Sequence, residues 1–184
     1  MLYMMRHGKT EWNKKYKLQG QTDVRLAEDG IAMAEKAARD YADVHFDICF
    51  SSPLSRARRT AEILLENRNV PIVTDERLLE MCFGDCEGVE NCLETEGCLA
   101  GELFRAPENY TKLPEGAESL DELFARVGDF LDNVALPLVR EGKDVLIVGH
   151  GVMNSCIYSI INDLPREKFW SADCENCKLV KLLQ

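Results

Sequence analysis

The stretch Asp144-Val145-Leu146-Ile147-Val148-Gly149-His150-Gly151 is the strongest fold signal in this sequence. Its β-branched, apolar run predicts a strand buried on both faces, as strands of a parallel sheet are. A second stretch of the same kind, Leu2 to Met5 followed by Arg6-His7-Gly8, opens the chain. Because ligands of open α/β sheets bind beyond the carboxyl ends of the strands, we expect His7 and His150 to share a site there.

Strand-like and helix-like segments alternate on either side of these two stretches. The alternation predicts an α/β fold of three layers, with a mostly parallel central sheet and helices on both faces. Further strands are expected at about 46–50, 71–74 and 178–183. Helices are expected at about 29–41 with Asp29 as cap, 53–66 with Ser52 as N-cap and Pro53 first, 119–139 with a Ser119/Glu122 capping box, and 152–162.

The glycine- and proline-rich segment from about residue 81 to residue 116 has no sustained period. We interpret it as a lid, mostly loop with a short helix, because long loops in compact domains are usually functional. The absence of repeats and linkers predicts a single domain over residues 1–184.

The charge balance limits the possible partners. With 22 Lys+Arg against 32 Asp+Glu, the formal charge is −10, which argues against binding to nucleic acid or to an acidic membrane surface. No apolar run reaches the roughly 20 residues of a membrane span, and Arg6 interrupts the apolar opening. We therefore expect no signal peptide and a cytoplasmic location.

The eight cysteines are expected to be free thiols, as is usual in a reducing compartment. Cys174 and Cys177 form a C-x-x-C pair that could supply half of a zinc site. The other candidates are spaced four, six and six residues apart: Cys82, Cys86, Cys92 and Cys98. This is not the spacing of a zinc knuckle, so we expect no metal site.

Two arginines are candidates for binding an anion beside the histidines. Arg6 precedes the first histidine, and Arg56 lies in the first turns of the helix predicted to begin at Ser52-Pro53. The arginine fork matches a phosphate, and a helix N-terminus adds free backbone N–H groups. Arg59 shares a helix face with Arg56 whereas Arg58 does not, and Arg56 is nearest to the strand end.

The glycines that follow the two histidines, Gly8 and Gly151, are expected to let a ligand approach the backbone. His45 lies before a strand without this context and is expected on the surface. Two histidines and two arginines at strand ends predict a compact anion pocket, for which a phosphoryl group is the natural ligand.

The histidines and arginines belong to six groups of residues that follow one another along the chain. These groups are Arg6-His7-Gly8-Lys9-Thr10 with Asn13; Gln19-Gly20 with Asp23; Ser51-Ser52-Pro53-Leu54-Ser55-Arg56; Leu79-Glu80 with Phe83-Gly84 and Glu87-Gly88; Glu118-Ser119 with Arg126; and Val148-Gly149-His150-Gly151. Together they resemble the motifs of the histidine phosphatase superfamily, also called the phosphoglycerate mutase-like family. The resemblance covers nearly the whole chain.

The resemblance implies a covalent mechanism that needs no metal and no cofactor. His7 is expected to be the nucleophile, and Glu80 the acid and base, with Glu87 as its rival. The residues expected to hold the phosphoryl group are Arg6, Arg56 and His150 as an imidazolium, with Asn13, Gln19 and Gly20 at its rim. The expected substrate is a small phosphorylated metabolite.

Hydrolysis and mutase chemistry differ in whether the closed site excludes water. Mutases that resemble this chain are longer after the acid, whereas here 34 residues lead from Glu80 to Pro114 (114 − 80). A short lid seals poorly, which favours a phosphatase over a phosphoglycerate mutase. A non-catalytic phosphate-binding module on the same fold is the remaining alternative, and the presence of both histidines and the acid argues against it.

The lid is rich in acidic residues: Glu87, Glu90, Glu94, Glu96, Glu102, Glu108 and Glu115. An acidic lid is expected to favour a neutral or cationic leaving group, such as a sugar or nucleoside, over a second anion. An α-ribazole phosphatase is the specific alternative of this kind. An equally weighted interpretation is that these carboxylates form a solvated face.

Overall fold

A computed structural model describes residues 1–95 and 97–183 of the chain. Its five strands are β1 (Leu2–Arg6), β2 (Ile48–Ser51), β3 (Ile72–Thr74), β4 (Val145–Gly149) and β5 (Leu179–Leu183). They form one sheet in the order β3-β2-β4-β1-β5. Neighbouring strands are parallel except at the edge, where β5 runs antiparallel to β1. The predicted mostly parallel sheet is confirmed.

Helices cover both faces of this sheet. They are α1 (Glu11–Lys14), α2 (Glu28–Asp40), α3 (Ser55–Leu64), α4 (Ala100–Arg105), α5 (Leu120–Phe130), α6 (Leu136–Arg140) and α7 (Gly151–Ile161). Alternate residues of β1 and β4 enter two separate apolar cores, because successive side chains of a strand point to opposite faces. One core packs the sheet against α2 and α3, and the other against α4, α5 and α7. The three-layer architecture is therefore confirmed.

The register of the two central strands brings the two histidines together. Arg6 of β1 pairs with Gly149 of β4, so His7 and His150 leave the sheet side by side. The His7 backbone N–H donates to the carbonyl of Gly149 at 2.9 Å, which continues the pairing one residue beyond β1. The order of residues along both strands thus fixes the relative position of the two imidazoles.

Helix α3 begins later than predicted. Residues 51–53 stay extended because the Ser52 N–H donates to the carbonyl of Val148 at 3.1 Å, which keeps the chain on the sheet. The expected Ser52 N-cap and Pro53 first turn are therefore wrong. The helix starts at Ser55, whose N–H and hydroxyl both donate to Asp23 Oδ1 at 2.8 Å. A carboxylate 32 residues away in sequence replaces the local cap.

Two other helix predictions are corrected in detail. Helix α2 begins at Glu28 after Ala27, so Asp29 lies in its first turn rather than at its cap. The expected long helix begins with the predicted Ser119/Glu122 capping box, but widens into a π-helical turn over Leu131–Ala135 before α6. Pro137 has no N–H to continue the α-helical pattern, which explains the change just before it.

The segment from residue 81 to residue 116 is mostly loop, as predicted. Within its described residues it contains α4 and three 3-10 turns, Gly84–Cys86, Cys92–Glu94 and Pro107–Asn109. Among the residues that the structure describes, no helix is both long and apolar enough to cross a lipid bilayer.

Candidate active site

A cavity of about 850 Å³ opens beyond the carboxyl ends of β1 and β4. Seven of the eight residues expected at a phosphoryl site line it: Arg6, His7, Asn13, Gln19, Gly20, Arg56 and Glu80. The eighth, His150, is fully buried directly beside His7, with the two ring centroids 5.2 Å apart. The exposed His45 lies elsewhere and pairs with Asp144.

His7 is held with one ring nitrogen free. Its Nδ1 lies 2.6 Å from the carbonyl oxygen of Gly8, a contact that requires Nδ1 to carry the proton. The other nitrogen, Nε2, then carries a lone pair. Burial, followed by the charges of Arg56 and Arg6, lowers the pKa of His7 well below its ordinary value. The ring is therefore neutral at pH 7, with its lone pair on Nε2.

His150 differs from the sequence expectation. Burial and then the nearby Arg56, His7 and Arg6 hold the pKa of His150 well below its ordinary value, so these protein groups alone keep the ring neutral rather than an imidazolium. A bound phosphate dianion would favour the charged form, because an opposite charge raises the pKa of a histidine. The positive charge of His150 is thus coupled to the arrival of an anion.

The two lowered histidine pKa values predict a pH-dependent stability. Below about pH 6.5 the unfolded chain binds protons that the folded chain does not. The contribution of the two histidines to the free energy of unfolding is therefore complete above that pH and decreases as the pH falls below it. The loss is up to about 1.4 kcal/mol per pH unit for each histidine. Urea unfolding between pH 7.5 and 5.5 measures it.

Inorganic phosphate is expected to reduce this slope, because it favours the protonated form of His150 in the folded state. The His45→Ala variant should keep the wild-type slope, since His45 is exposed and outside the site. A stability that does not change over this pH range would contradict the buried, neutral state of both rings.

Arg56 is anchored by a loop distant in sequence. Its side chain is fully buried, and Nη1 and Nη2 donate to the carbonyls of Thr22 at 2.8 Å and Gly20 at 2.6 Å. Desolvation lowers the pKa of Arg56 to about 10, so it remains a cation at neutral pH. By contrast, Arg58 and Arg59 are exposed and pair with Glu62. The helical-face argument set Arg58 apart, and closeness to the strand end was the criterion that favoured Arg56 over Arg59.

Arg6 and the backbone of His7 are supported by the turn that contains the C-x-x-C pair. Arg6 Nη1 donates to the carbonyl of Cys174 at 3.2 Å, and the Cys177 N–H donates to the carbonyl of Arg6 at 2.8 Å. Asn176 Nδ2 donates to the carbonyl of His7 at 2.6 Å. The turn thus serves the site through its backbone and Asn176, and no local sequence pattern could have revealed this contribution.

Unpaired buried nitrogens identify the charge of the ligand. Seven buried side-chain N or O atoms of the described residues have no hydrogen-bond partner. Four of them belong to this site: Arg6 Nε, Arg56 Nε and both ring nitrogens of His150. Buried polar atoms in native proteins are normally paired, so two unpaired guanidinium N–H groups and an unpaired imidazole in one place indicate a site for an anion with several acceptor oxygens.

Glu80 is the buried carboxylic acid of the cavity. Its Oε1 accepts from the N–H groups of Met81 at 3.0 Å and Met153 at 2.9 Å, and its Oε2 from that of Val152 at 3.2 Å. The carboxylate thereby caps the N-terminus of α7, immediately after His150. The helix N-terminus at this site therefore binds Glu80, whereas the N-terminus of α3, expected to receive phosphate, is occupied by Asp23.

The backbone of Glu80 is fixed separately by Arg126. The Arg126 guanidinium donates to the carbonyls of Leu79 at 2.8 Å and Glu80 at 3.1 Å, and forms a two-point ion pair with Glu118 at 2.6 and 2.9 Å. Bidentate arginine–carboxylate pairs are geometrically specific. Both the side chain and the main chain of Glu80 are thus tied to the helical framework.

Glu87, the rival to Glu80, has a different role. Its Oε1 accepts from the N–H groups of Gln21 and Phe83 at 3.0 Å, and its Oε2 accepts from the Thr22 N–H at 2.9 Å and hydroxyl at 2.6 Å. Arg56 donates to the carbonyls of Gly20 and Thr22 in the same loop, residues 20–22. Glu87 therefore fixes the loop that positions Arg56. It is a positioning residue that sequence reasoning considered only as an acid.

Replacing Glu87 with glutamine is expected to weaken both stability and anion binding. The amide can accept at one atom only, and its NH₂ group opposes N–H donors, so about 1–3 kcal/mol of stability should be lost. A raised dissociation constant for inorganic phosphate, measured by calorimetry, should accompany the lower melting temperature. Glu90→Gln is the control, because Glu90 is exposed and lies 3.9 Å from its ion-pair partner Lys17. Equal effects of the two variants would contradict the positioning role.

Asn13 and Gln19 are oriented by one threonine. Asn13 Oδ1 accepts from the Thr10 N–H at 3.0 Å and hydroxyl at 3.1 Å, and Gln19 Oε1 lies 2.9 Å from the same hydroxyl. The amide oxygens of both residues are engaged in these contacts. Their NH₂ groups are left as the donors available to a ligand in the cavity that both residues line.

The two glycines after the histidines differ in their surroundings. A Cβ on Gly8 would lie 2.4 Å from the carbonyl oxygen of Gly30, so Gly8 is required by the packing of α2 against the loop, not by a ligand. A Cβ on Gly151 would meet only Arg6, at 3.4 Å, and Gly151 lines the cavity. The expectation for Gly8 is therefore wrong.

Most of the acidic lid residues do not face the cavity. Of those that the structure describes, Glu94 alone lines it, and Glu96 lies outside the described residues. Lys9 and Lys17 line the cavity, together with the aromatic side chains of Phe83, Phe104 and Trp170. Asp173 and Glu175 also line the cavity but lie outside the lid, so most of the acidic residues of the wall do not come from the lid, and the acidic-lid hypothesis stays a prediction.

The sequence profile of the histidine phosphatase superfamily (branch 1) matches residues 2–184. The chain belongs to the histidine phosphatase superfamily. Among superfamily relatives, a 2,3-bisphosphoglycerate-dependent phosphoglycerate mutase from Cytophaga hutchinsonii is 37% identical over 153 residues, which are 82% of this chain and 72% of the mutase. Phosphoserine phosphatase 1 from Hydrogenobacter thermophilus is 30% identical over 185 residues, covering 95% of this chain and 82% of that enzyme.

Solved structures of superfamily members share the fold. The α-ribazole phosphatase from Shigella flexneri superposes with a TM-score of 0.83 and 25% identity, covering 97% of this chain and 87% of that chain. Phosphatases and mutases both occur among the similar proteins. The chain is therefore a histidine phosphatase superfamily enzyme, either a phosphatase or a mutase.

Proposed function

We propose that this enzyme hydrolyses the phosphomonoester of a small metabolite, without a metal ion, through a phosphohistidine on His7. The observation that carries the proposal is the set of four unpaired buried nitrogens from Arg6, Arg56 and His150 around a neutral His7. The two guanidinium groups supply positive charge, and their free N–H groups together with a protonated His150 ring can donate to the oxygens of a phosphoryl group.

In the first step, the Nε2 lone pair of His7 attacks phosphorus in line with the ester oxygen. A P–N bond forms as the P–O bond to the leaving group breaks, and the electron pair stays on the leaving oxygen. Glu80 starts this step as the protonated carboxylic acid and supplies its proton to that oxygen, which leaves the carboxylate. Arg6, Arg56 and the His150 imidazolium stabilise the charge on the three equatorial oxygens.

In the second step, water attacks the phosphohistidine from the side vacated by the leaving group. A P–O bond forms, the P–N bond breaks, and the electron pair returns to Nε2 of His7. Glu80 accepts the proton from the water. Inorganic phosphate leaves, and the site returns to its starting protonation state.

Two features support hydrolysis over the mutase reaction, in which the phosphoryl group is transferred back to the substrate. The segment between Glu80 and Pro114 is short, and the cavity it borders is open to solvent along exposed residues such as Asn91 and Glu94. Water that reaches the phosphohistidine favours hydrolysis. The identity to a phosphoglycerate mutase makes the mutase reaction the alternative to test.

Phe83, Phe104 and Trp170 form an aromatic wall of the cavity, which supports a leaving group that contains a ring. Phe104 stacks on Trp170 with ring centroids 5.0 Å apart and an interplanar angle of 15°, and Phe83 lies 6.1 Å from Phe104. Trp170 is held by a hydrogen bond from Nε1 to the carbonyl of Leu103 at 2.9 Å. A nucleoside-type substrate, as in the α-ribazole phosphatase alternative, fits this wall better than a phosphoglycerate does.

Replacing Phe104 with leucine is expected to raise KM for nucleoside monophosphates by about two- to twelvefold, which corresponds to the interaction free energy of one aromatic pair. KM for phosphoserine should change by less. The matched control is Phe124→Leu, because Phe124 packs against Phe169 and does not line the cavity. Equal changes in KM for both substrates would contradict a ring-binding wall.

The proposed function is tested by phosphate release from a panel of monophosphates in the presence of a chelator. The panel contains 3-phosphoglycerate, phosphoserine, sugar phosphates, nucleotides and α-ribazole phosphate. Release by wild type and by His45→Ala, but not by His7→Ala, supports a metal-independent histidine phosphatase. Conversion of 3-phosphoglycerate to 2-phosphoglycerate with a bisphosphoglycerate primer, and no phosphate release, would replace the proposal with the mutase reaction.

A further inference from the structure

Three cysteines of the lid segment converge on one point. The Sγ atoms of Cys86, Cys92 and Cys98 all lie within 4.8 Å of one another. Their spacing in sequence does not predict this arrangement, because the turns Gly84–Cys86 and Cys92–Glu94 and the start of α4 bring them together. All three are free thiols. From this cluster we propose that the lid binds a thiophilic divalent cation, of which Zn²⁺ is the representative.

The number of converging sulfurs suits a metal better than a disulfide. Three thiolates of a tetrahedral zinc site, with Zn–S bonds of about 2.3 Å, have sulfurs about 3.8 Å apart. The limit of 4.8 Å on the three Sγ separations is compatible with that spacing. A disulfide joins two sulfurs and would leave the third thiol unused, whereas one metal ion engages all three.

The cluster is accessible to an ion from solvent. A surface cavity of about 320 Å³ is lined by the three cysteines and by Asp85 and Glu115. Cys92 is buried, while Cys86 and Cys98 are half-buried. Water that enters from this cavity can supply the fourth ligand. Each thiol that binds releases its proton to solvent, so metal binding liberates protons.

A second observation supports a polar occupant. The hydroxyl of Tyr110 is buried in the same apolar cluster as Cys92 and has no hydrogen-bond partner. A thiolate sulfur bound to a metal is an acceptor that such a donor can serve.

The position of the cluster links it to the substrate cavity. Asn91 and Leu93, which flank Cys92, and Phe104 on α4 line that cavity. A cation bound by the three thiolates would therefore fix three parts of the substrate wall relative to one another. Its role is structural, and it lies outside the phosphoryl site, so the proposal does not depend on the reaction proposed above.

The test is a cobalt titration of the reduced, metal-free full-length protein. Co²⁺ bound to thiolates gives a near-ultraviolet charge-transfer band, and we expect the band to saturate at one ion per chain and to disappear on adding Zn²⁺. Cys86→Ser and Cys98→Ser should each weaken Co²⁺ binding at least tenfold. Both positions are half-buried, and a thermal melt checks that the variants fold.

Two variants serve as controls. Cys82→Ser removes a lid thiol whose Sγ contacts the carbonyl of Gly116 and which is not in the cluster, so it should bind Co²⁺ like wild type. His45→Ala removes a member of the other group of potential ligands, His45, Asp47 and Asp144, and should also have no effect.

Three results would overturn the proposal. These are the absence of a thiolate band in the wild type, a band that survives both Cys86→Ser and Cys98→Ser, and Co²⁺ binding that is lost in His45→Ala. Because the readout is a spectrum rather than phosphate release, failure here is distinguishable from failure of the proposed function.

Discussion

His7→Ala is expected to reduce kcat/KM for phosphate release by at least about 10⁴-fold, as removal of a nucleophile does in covalent enzymes. The free Nε2 of His7 is the atom oriented by the Gly8 contact, and a neutral ring is available at pH 7 because its pKa is lowered. Alanine removes the only step that forms the P–N bond. A steady-state phosphate assay and the intact mass of base-quenched enzyme measure the loss of turnover and of the phosphoenzyme.

The control for this variant is His45→Ala, which changes an exposed histidine and should keep wild-type turnover. The arginines that bind phosphate remain in His7→Ala, so inorganic phosphate should still stabilise the variant in a thermal melt. Turnover near the wild-type rate in a folded His7→Ala enzyme would exclude His7 as the nucleophile.

Arg56→Met is expected to lower kcat/KM by about 10³-fold, the scale seen when a fixed cation or donor at a developing charge is removed. Methionine keeps much of the apolar stem but has no guanidinium to contact the phosphoryl oxygens. It also leaves the carbonyls of Gly20 and Thr22 without their donor, so affinity for inorganic phosphate should fall as well. Phosphate release and calorimetry measure the two effects.

Arg59→Met is the matched control on the same helix. Arg59 lies one turn further along α3, is exposed, and pairs with Glu62 at 3.3 Å. Its removal should leave kcat/KM within about twofold of wild type, because exposed ion pairs contribute little. A similar loss in both variants would show that general charge, rather than the buried fork of Arg56, supports the reaction.

The sequence predicted the sheet and the histidine pair for a physical reason. An apolar run followed by histidine and glycine places the imidazole at a strand end, and parallel strands end at the same edge. Periodicity also separated Arg56 from Arg58. These signals are local, since each depends on residues within one strand or one helix.

The features that were missed depend on contacts between distant segments. The start of α3 depends on Asp23, 32 residues earlier, and the position of Arg56 depends on Glu87 through the loop at residues 20–22. Glu80 was identified by resemblance, because nothing in its local sequence distinguishes it from the other acidic residues. The three cysteines of the cluster likewise come together only because two turns and the start of α4 fold next to one another.

Because Glu80 is attached through both its side chain and its main chain, the selection of substrate and the donation of a proton can change independently in this enzyme. Its carboxylate is held by α7 and its carbonyl by Arg126, so neither anchor belongs to residues 88–116, the part of the lid that follows Glu87. Insertions, deletions or rearrangements in that segment can alter which molecule is admitted without displacing the proton donor. Substrate preference in such a scaffold can evolve by changes in loop length, while the chemistry of the phosphoryl group is inherited unchanged.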